Sequence, residues 1–542
     1  MQIIIPMSGF GERFRRAGYS IPKPLIEVDG LPIIQHVIEM FPGETGFIFI
    51  CNRDHLDIPE FRLAETLKEI CPTGRIVSIP PHKLGPVHAV MEAGEHIDPD
   101  APTVVNYCDF ACLWDYPAFK KFVADTVCDG AVACYKGFHP HMLRNFHYAY
   151  VREVEGWISA IQEKEPYTDT PMDEFASSGT YYFKTGDLLK EYFSRTLARD
   201  DLKLNGEFYV SLAYRPMLED GCRVAVFEQN RFAQWGTPED LAEYRHWSKA
   251  FSRLAEGFTD QRTSHEGMIL MPMAGMGERF AREGYELTKP LIPVSGIPMV
   301  VQAAGDLPET SAHVFIMRQD MAQCQDTEEV LKKRFPDCRT VLLDAPTDGQ
   351  ARTCMLGLDG VNEDAPLTIG ACDNGLLYRG ADFDELWSAG ADVIVWAARG
   401  HPGAIRNPEM YGWIDTQTDG RIRRVSVKVP LTTPTHDPIV TGAFTFRRAR
   451  DFKAAVEQMI ERDGRIGGEF YIDECINDAV AMKLDCRVFD IDFYLCWGTP
   501  NDLRTFEYWQ SYFHHWPRHG YRTETDPRCG DVTPSLDRIA WR

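Results

Sequence analysis

Residues 3–35 read IIIPMSGFGERFRRAGYSIPKPLIEVDGLPIIQ, and residues 269–301 read ILMPMAGMGERFAREGYELTKPLIPVSGIPMVV. The two stretches have 18 identical residues in 33 aligned positions. Each begins with a short apolar run, passes through a G-x-G turn and continues into a mixed polar and apolar segment. A repeat on this scale indicates two homologous domains in one chain rather than a solenoid of short units.

Later landmarks keep the same order in both halves of the sequence. The matched pairs are Asp109 with Asp373, Lys164 with Lys428, Gly179 with Gly442, Glu207 with Glu469, Tyr209 with Tyr471, and W-G-T-P at 235–238 with W-G-T-P at 497–500. A polar stretch, EGFTDQRTSHE at 256–266, separates the halves. We therefore predict a first domain over 1–257, a second over 267–510, and an irregular C-terminal tail over 511–542 that lies on the surface.

Short apolar runs alternate with longer amphipathic segments in the first repeat. The runs at 3–7, 46–51, 101–108 and 130–135 predict strands, and the segments at 32–41, 61–70 and 85–97 predict helices. Strands that are apolar almost throughout are typical of a parallel sheet covered by helices on both faces. The fold class predicted for each repeat is therefore α/β around a mostly parallel sheet, with ligands bound at the carboxyl ends of the strands.

The overall composition excludes several classes of partner. The 542 residues carry a net charge of −23, which repels nucleic acid and anionic lipid. The sequence contains no run near the ~20 apolar residues that span a bilayer, and its start does not have the pattern of a secretory leader. Fifteen cysteines without a C-x-x-C pair are typical of a reducing compartment, so we expect a cytoplasmic protein.

The G-x-G turn is followed by cations at the same spacing in both copies. Arg13 and Arg279 come two residues after the second glycine, and Lys23 and Lys289 come ten residues later in K-P-L-I. Glycines let a backbone approach an anion, and Arg and Lys can neutralise a polyphosphate. The turn lacks the third glycine of a dinucleotide site and the G-K-[ST] of a P-loop. A plain turn with solvated cations stays open as the alternative.

The combination G-x-G-x-R followed by K-P-L resembles the sugar-phosphate nucleotidyltransferase, or nucleotide-sugar pyrophosphorylase, superfamily. The form seen here, PM(S/A)GxGERF…GY…KPLI, is most similar to the branch found in polysaccharide and capsule gene clusters. The resemblance covers nearly all of both repeats. It implies two tandem Rossmann-like domains, related to the GT-A glycosyltransferases, with mostly parallel mixed sheets.

The resemblance also implies roles for individual residues. Those expected to bind the nucleotide are Gly9, Gly11, Gly275 and Gly277 at its triphosphate, and Gly85, Gly349 and Gln350 in the segments that contact its base. The expected catalytic cations are Arg13, Lys23, Lys164, Arg279, Lys289 and Lys428. Residues expected at the acceptor are Glu163, Gly179, Glu207, Gly442 and Glu469. Asp109 and Asp373 occupy the position that binds Mg²⁺, and a carboxylate there suits a hard cation that bridges phosphates.

Two departures from the family pattern stand out. The second metal-binding carboxylate usually lies in D-x-G-T, where this chain has Gln234 and Cys496, which are poor Mg²⁺ ligands. We therefore expect one carboxylate to hold the ion in each copy, or Glu207 and Glu469 to assist. In the second repeat, Val427 replaces the glutamate that precedes the lysine of E-K-P.

The resemblance implies a Mg²⁺-dependent enzyme that joins an NTP to a sugar phosphate or another small phosphorylated alcohol and releases pyrophosphate, for surface polysaccharide synthesis. Its partners are these two substrates, with no nucleic acid and no membrane insertion. A homo-oligomer stays open, because the duplication can supply within one chain an interface that single-domain relatives form between chains. Two alternatives also stay open: a nucleotide-sensing or scaffold protein without turnover, and a GT-A glycosyltransferase.

Overall fold

The computed structural model describes residues 1–229, 231–257 and 263–530. The chain divides into two compact units, the first over residues 1–248 and the second beginning at Lys249. Sequence patterning put the end of the first domain at 257, later than this division. The domain limits given above stay predictions, and residues 258–262 of the predicted linker lie outside the described residues.

The first unit contains a sheet of nine strands and two separate two-stranded ladders, β2 with β3 and β7 with β13. Its strands are β1 Gln2–Met7, β2 Glu27–Val28, β3 Leu31–Pro32, β4 Gly46–Asn52, β5 Arg75–Ile79, β6 Thr103–Asn106, β7 Phe110–Leu113, β8 Gly130–Tyr135, β9 Ala149–Val154, β10 Trp157–Glu163, β11 Phe175–Phe183, β12 Val224–Glu228 and β13 Arg231–Gln234. Its helices are α1 Glu12–Arg16, α2 Ile33–Glu39, α3 Arg53–Leu56, α4 Leu63–Ile70, α5 Pro86–Glu92, α6 Tyr116–Thr126, α7 Gly186–Leu197, α8 Tyr214–Glu219 and α9 Pro238–Ala255.

The second unit has a sheet of the same kind. Its strands are β14 Ser264–Pro272, β15 Pro293–Val294, β16 Ile297–Pro298, β17 Glu309–Arg318, β18 Arg339–Leu343, β19 Leu367–Ile369, β20 Asn374–Leu377, β21 Val393–Ala398, β22 Gly412–Thr416, β23 Ile422–Val427, β24 Ile439–Phe446, β25 Cys486–Asp490 and β26 Phe493–Cys496. Its helices are α10 Glu278–Arg282, α11 Met299–Gly305, α12 Cys324–Arg334, α13 Gln350–Gly357, α14 Gly380–Ser388, α15 Pro402–Arg406, α16 Ala449–Glu461, α17 Ile472–Ala481 and α18 Pro500–His515.

The two main sheets have matching strand orders. The first runs β5-β4-β1-β6-β11-β8-β12 and the second β18-β17-β14-β19-β24-β21-β25, position by position. β1 pairs in parallel with β4 and β6, whereas β11 is antiparallel to both of its neighbours. The predicted α/β class with a mixed, mostly parallel sheet is confirmed. The apolar runs that predicted strands form β1, β4, β6 and β8, and the predicted helices contain α2, α4 and α5.

The near-continuous apolar character of the central strands follows from burial on both faces. Ile3, Ile4 and Ile5 are consecutive in β1 and fully buried, so helices cover both sides of the sheet there. Polar residues gather instead in the loops after β1 and β6, which brings them to one edge of the sheet. Every helix within the described ranges is too short or too polar to cross a bilayer.

The predicted C-terminal tail begins inside a helix. Residues 511–515 belong to α18, whose first turn is closed by reciprocal hydrogen bonds between Thr499 and Asp502. The following residues are irregular as expected, but Tyr521 is fully buried and donates a hydrogen bond to Asp526 at 2.8 Å. The expectation of a surface tail is thus corrected as far as residue 530, because aromatic side chains pull this segment into the unit. Residues 531–542 lie outside the described residues.

Candidate active site

The G-x-G turns lie directly after the first strand of each sheet. Gly11 and Gly277 adopt left-handed φ values of 62° and 63° and begin α1 and α10. Gly9 and Gly275 have no left-handed φ, and a Cβ on either would meet nothing within 4 Å. Packing therefore explains the glycine at neither of these two positions. Each leaves an open approach to the backbone of the turn.

This difference between the glycines gives a prediction for the first unit. Gly9→Ala should leave the melting temperature unchanged, since the added methyl group meets no protein atom and φ is not left-handed. It should still raise the KM for nucleotide about tenfold or more if phosphates approach the backbone there, a loss of about 1.4 kcal/mol in binding. Gly18→Ala, a change at an open left-handed glycine, is the control for general effects of backbone strain. An unchanged KM in Gly9→Ala would contradict the predicted role of the turn.

Each unit contains an ion pair between the predicted lysine and the predicted metal-binding aspartate. Lys23 Nζ lies 2.8 Å from Asp109 Oδ2, and Lys289 Nζ lies 2.6 Å from Asp373 Oδ2. Both lysine side chains are 20% exposed. Burial alone would lower the pKa of Lys23, but the Asp109 carboxylate outweighs it and raises that pKa above its ordinary value. Lys289 has a raised pKa for the same reasons, so both amines are charged at neutral pH.

The surroundings of Asp109 leave one side of its carboxylate accessible to a cation. A Cβ on Gly236 would lie 3.2 Å from Asp109 Oδ2, so the glycine keeps one side of the carboxylate open. Gln234 lies beside the same glycine. Within the residues that the structure describes, no three His, Cys, Asp or Glu side chains come together as a metal site. This donor set fits Mg²⁺ held by one carboxylate with water and substrate phosphates as its other ligands.

The predicted acceptor lysines, Lys164 and Lys428, come directly after the strands β10 and β23. Lys164 has a left-handed φ of 63°, its N–H donates to the carbonyl of Tyr148 at 2.8 Å, and its amine contacts the hydroxyl of Tyr209. Tyr209 in turn donates to Glu207 at 2.5 Å. These contacts link a cation, a phenol and a carboxylate in series. The geometry brings Lys164 and Glu207 together as the sequence predicted and adds Tyr209.

The second unit repeats this arrangement. Lys428 has a φ of 59°, and its amine donates to the hydroxyl of Tyr471 at 2.7 Å. Glu469 is hydrogen-bonded to the same tyrosine and helps to raise its pKa. Sequence reasoning aligned the two tyrosines as landmarks but assigned them no role. Their fixed two-residue spacing from the glutamate was the available signal.

The cations of the first unit share one region. The charge of Arg13, whose side chain is exposed on α1, opposes protonation of both Lys23 and Lys164. Burial is the main cause that lowers the pKa of Lys164, while Glu163 and Glu207 act in the opposite direction. The three cations therefore interact electrostatically in one region of the first unit, which also contains these carboxylates. Arg279 has the corresponding exposed position on α10.

The lowered pKa of Lys164 gives a pH prediction. A charged amine holds a phosphate, and Lys164 loses its proton at a lower pH than the ordinary lysine value of about 10.4. The KM of the first unit for its phosphorylated acceptor should therefore rise with pH before that value is reached. Initial rates of Lys289→Ala enzyme, in which only the first unit is intact, measure this from pH 7 to 10. Lys164→Arg, whose charge does not titrate in this range, should abolish the rise, and a rise that persists in it would contradict the assignment.

Gly85 and Gly349, the glycines of the predicted base-binding segments, lie against the G-E-F-Y segments. A Cβ on Gly85 would be 2.7 Å from both the backbone N and O of Phe208. Backbone hydrogen bonds run in both directions, from Phe208 N to Leu84 O at 2.9 Å and from Val87 N to Phe208 O at 3.2 Å. Gly349 docks on Phe470 in the same way. Gln350 follows as the first residue of α13.

The remaining predicted acceptor residues differ in their surroundings. Gly179, with φ 106°, packs against the ring of Tyr107, where its Cβ would be 3.1 Å from Cδ2. At Gly442, with φ 85°, a Cβ would lie 3.0 Å from the methyl group of Ala371 and 3.7 Å from Nδ2 of Asn374. Glu163 accepts a hydrogen bond from the hydroxyl of Ser211 at 2.6 Å. The side chain beside the glycine is thus a tyrosine in the first unit and an alanine in the second, and the two differ in size by a phenol ring.

A known protein family is similar to part of the first unit. Residues 3–167 match the model of the MobA-like NTP transferase domain. This part of the chain is therefore similar to an NTP transferase domain. The matched range contains most of the first sheet together with Lys23, Asp109 and Lys164.

A curated relative and several solved structures are also similar. The bifunctional protein GlmU of Ralstonia pickettii is 26% identical over 250 residues, 44% of this chain and 48% of that protein, so the match spans about half of that relative's length. A nucleoside-diphosphate-sugar pyrophosphorylase from Vibrio cholerae RC9 is 19% identical with a TM-score of 0.37, over 44% of this chain and 99% of that one. The inositol-1-phosphate CTP transferase of T. maritima is 13% identical with a TM-score of 0.36, over 46% and 97%.

Proposed function

We propose that this protein transfers a nucleoside monophosphate from an NTP to a sugar phosphate or a similar small phosphorylated alcohol and releases pyrophosphate. The observations that carry this proposal are the ion pair between Lys23 and Asp109 and the electrostatic interaction of Arg13 with both Lys23 and Lys164. The match of this region to an NTP transferase domain supports it. The second unit has the same residue types at the equivalent positions, and we propose that it arose by tandem duplication.

The chemistry requires positioning and charge neutralisation rather than a nucleophilic side chain. A phosphate oxygen of the acceptor attacks the α-phosphorus of the NTP, and the bond from that phosphorus to the pyrophosphate oxygen breaks. Arg13 and Lys23 neutralise the departing pyrophosphate, and Lys164 holds the acceptor phosphate. Mg²⁺, held at Asp109 and Asp373, would supply additional charge neutralisation between the phosphates. The open turn around Gly9 admits the triphosphate to the backbone.

We further propose a cytoplasmic enzyme whose product is an activated precursor of a surface polysaccharide. All fifteen cysteines are free thiols, which suits a reducing compartment where NTPs are available. The polysaccharide role rests on the form of the K-P-L-I motifs and their likeness to capsule-cluster sequences.

A sensor that binds nucleotide without turnover is the second candidate. It is favoured by Gln234 and Cys496 at the position where a second metal-binding carboxylate is usual. A soft thiol and a neutral amide both bind Mg²⁺ less well than a carboxylate does. A GT-A glycosyltransferase is less favoured than the sensor, because the K-P-L segment is typical of the nucleotidyltransferases and not of glycosyltransferases.

Pyrophosphate release tests the two candidates. Each of five NTPs is combined with a panel of sugar 1-phosphates and small phosphorylated alcohols in the presence of Mg²⁺. We expect release with at least one pair, and loss of that activity when the lysine of the unit responsible for it, Lys23 or Lys289, is replaced with alanine. Nucleotide binding without release across the panel would favour the sensor. Two productive pairs that respond to different lysines would indicate two working units.

The acceptor regions predict different substrates for the two units. Tyr107 packs against Gly179, whereas the smaller Ala371 lies beside Gly442. We expect Tyr107→Ala to extend the first unit's acceptor range to bulkier molecules, with a KM for the original acceptor raised about tenfold, as for a lost buried side-chain contact of 1–3 kcal/mol. The reciprocal change Ala371→Tyr should exclude the largest acceptors of the second unit. Unaltered acceptor profiles in both variants would refute this.

A further inference from the structure

The acceptor region of the first unit contains a carboxylate held from a strand. Glu163 is the last residue of β10 and pairs across the ladder with Ala149 of β9. Its carboxylate accepts the hydrogen bond from Ser211 described above and interacts with the charge of Lys164. Burial raises the pKa of Glu163 above its usual value. The carboxylate therefore lies over the cross-strand pair of Glu163 and Ala149, beside the predicted acceptor lysine; this pair is hereafter called the rung.

At the equivalent cross-strand pair of the second unit, both residues are different. Val427 replaces Glu163 and pairs with Gly412, which replaces Ala149. The residue equivalent to Ser211 is Asp473, in the first turn of α17. Its carboxylate lies so close to Gly412 that a Cβ on that glycine would collide with Oδ2. The second unit thus has a carboxylate above the same rung, delivered from a helix.

The three exchanges are complementary in shape and in charge. One removes a carboxylate from the strand at 427, the second supplies one from the helix at 473, and the third removes the methyl group at 412 that would block it. Lys428 acts electrostatically on Asp473 as Lys164 does on Glu163. Burial raises the pKa of Asp473 to about 6, so this group is ionised at neutral pH but close to its protonation range.

We propose that Asp473 is the acceptor-contacting carboxylate of the second unit and takes the role that Glu163 has in the first. It would accept a hydrogen bond from a hydroxyl or amino group of the acceptor, next to the phosphate held by Lys428. This inference rests on the proposed nucleotidyl transfer and names one specificity determinant of it. In the first unit this carboxylate belongs to a strand, whereas in the second unit it belongs to a helix and the strand position is occupied by Val427. The two units should therefore recognise hydrogen-bond donors at different positions on their acceptors.

The test exchanges the arrangement of one unit for that of the other. All variants are made in full-length Lys23→Ala protein, so that turnover reports the second unit. Asp473→Ser should raise the KM for acceptor about tenfold to a hundredfold, the value of a hydrogen bond to a charged group, and leave the KM for NTP unchanged. The double variant Asp473→Ser, Val427→Glu restores the first unit's pattern and should recover most of the loss. Asp382→Ser, which also removes an acid from the first turn of a helix, is the matched control.

Thermal unfolding supplies a second readout that needs no turnover. Val427→Glu alone crowds two carboxylates above one rung and should lower the melting temperature, and adding Asp473→Ser should reverse that loss. Equal effects of Val427→Glu with and without Asp473 would show that the two positions do not share a site and would overturn the inference.

The kinetic outcomes separate this inference from the proposed function. If the Lys23→Ala parent turns over and Asp473→Ser has an unchanged KM for acceptor, Asp473 has no acceptor role while nucleotidyl transfer stands. If the parent binds NTP but releases no pyrophosphate with any acceptor, the proposed function fails for this unit, and the acceptor role of Asp473 fails with it.

Discussion

Replacing Lys23 with alanine is expected to reduce pyrophosphate release by the first unit about 10²- to 10³-fold in kcat, the usual cost of removing one preorganised group that stabilises a charged transition state. The amine is fixed 2.8 Å from Asp109, and its stem lies near the ring of Phe14, with Nζ 5.9 Å from the ring centroid. A charge held in this way needs no reorganisation when the pyrophosphate departs. Steady-state kinetics in Lys289→Ala protein, with the second unit silenced, measures the loss.

The control is another lysine with a similar environment. Lys120 forms an ion pair with Glu44 at 3.1 Å and lies over the ring of Tyr116 at 5.0 Å, but it is far from the predicted nucleotide turn in sequence and lies on α6. Lys120→Ala should leave kcat unchanged. A Lys23→Ala enzyme with normal kcat and normal folding would mean that the Lys23–Asp109 pair is structural, and the proposed mechanism would fail.

Replacing Gly349 with alanine is expected to destabilise the second unit by about 3 kcal/mol or more, since backbone strain and overpacking each cost about 1–3 kcal/mol. Its φ of 135° is a glycine conformation, and a Cβ would collide with the backbone N and O of Phe470. Neither obstacle is the end of a flexible side chain, so the whole base-binding segment must shift. The expected fall in melting temperature is about 6 °C or more for a unit of this size.

A glycine of the same unit with free space provides the comparison. Gly305 ends α11, and its Cβ would meet nothing within 4 Å. Gly305→Ala should be neutral or should stabilise by about 0.5–1 kcal/mol, since alanine loses less conformational entropy in a helix. A similar melting temperature for Gly349→Ala and Gly305→Ala would contradict the close docking of the segment on Phe470.

Much of the fold could be predicted because its signals are local. The strands β1, β4, β6 and β8 are nearly continuous apolar runs, and such runs have few alternatives once helices flank them. The pairing of Lys23 with Asp109 also has a simple origin. Both residues follow the carboxyl ends of neighbouring strands, which meet at one edge of the sheet.

The parts that sequence did not predict depend on contacts between distant segments. Val427 looked like the loss of an acceptor carboxylate, since nothing local connects it to Asp473, 46 residues later. Gly85 was assigned to the nucleotide base, but its close approach to Phe208 becomes visible only when the two segments pair. Likewise, aromatic burial of Tyr521 could not be inferred from a segment rich in proline, glycine and charge.

The docking of the Gly85 segment on Phe208 connects the predicted base-binding segment to the predicted acceptor residues. One neighbour of Phe208 is Glu207, which belongs to the acceptor network, while Gly85 begins the predicted base-binding helix α5. The two segments share backbone hydrogen bonds, so a displacement of one is transmitted to the other. We therefore expect occupancy of the two predicted subsites to be thermodynamically linked, and reciprocity requires that the factor by which NTP alters acceptor affinity equals the factor by which acceptor alters NTP affinity.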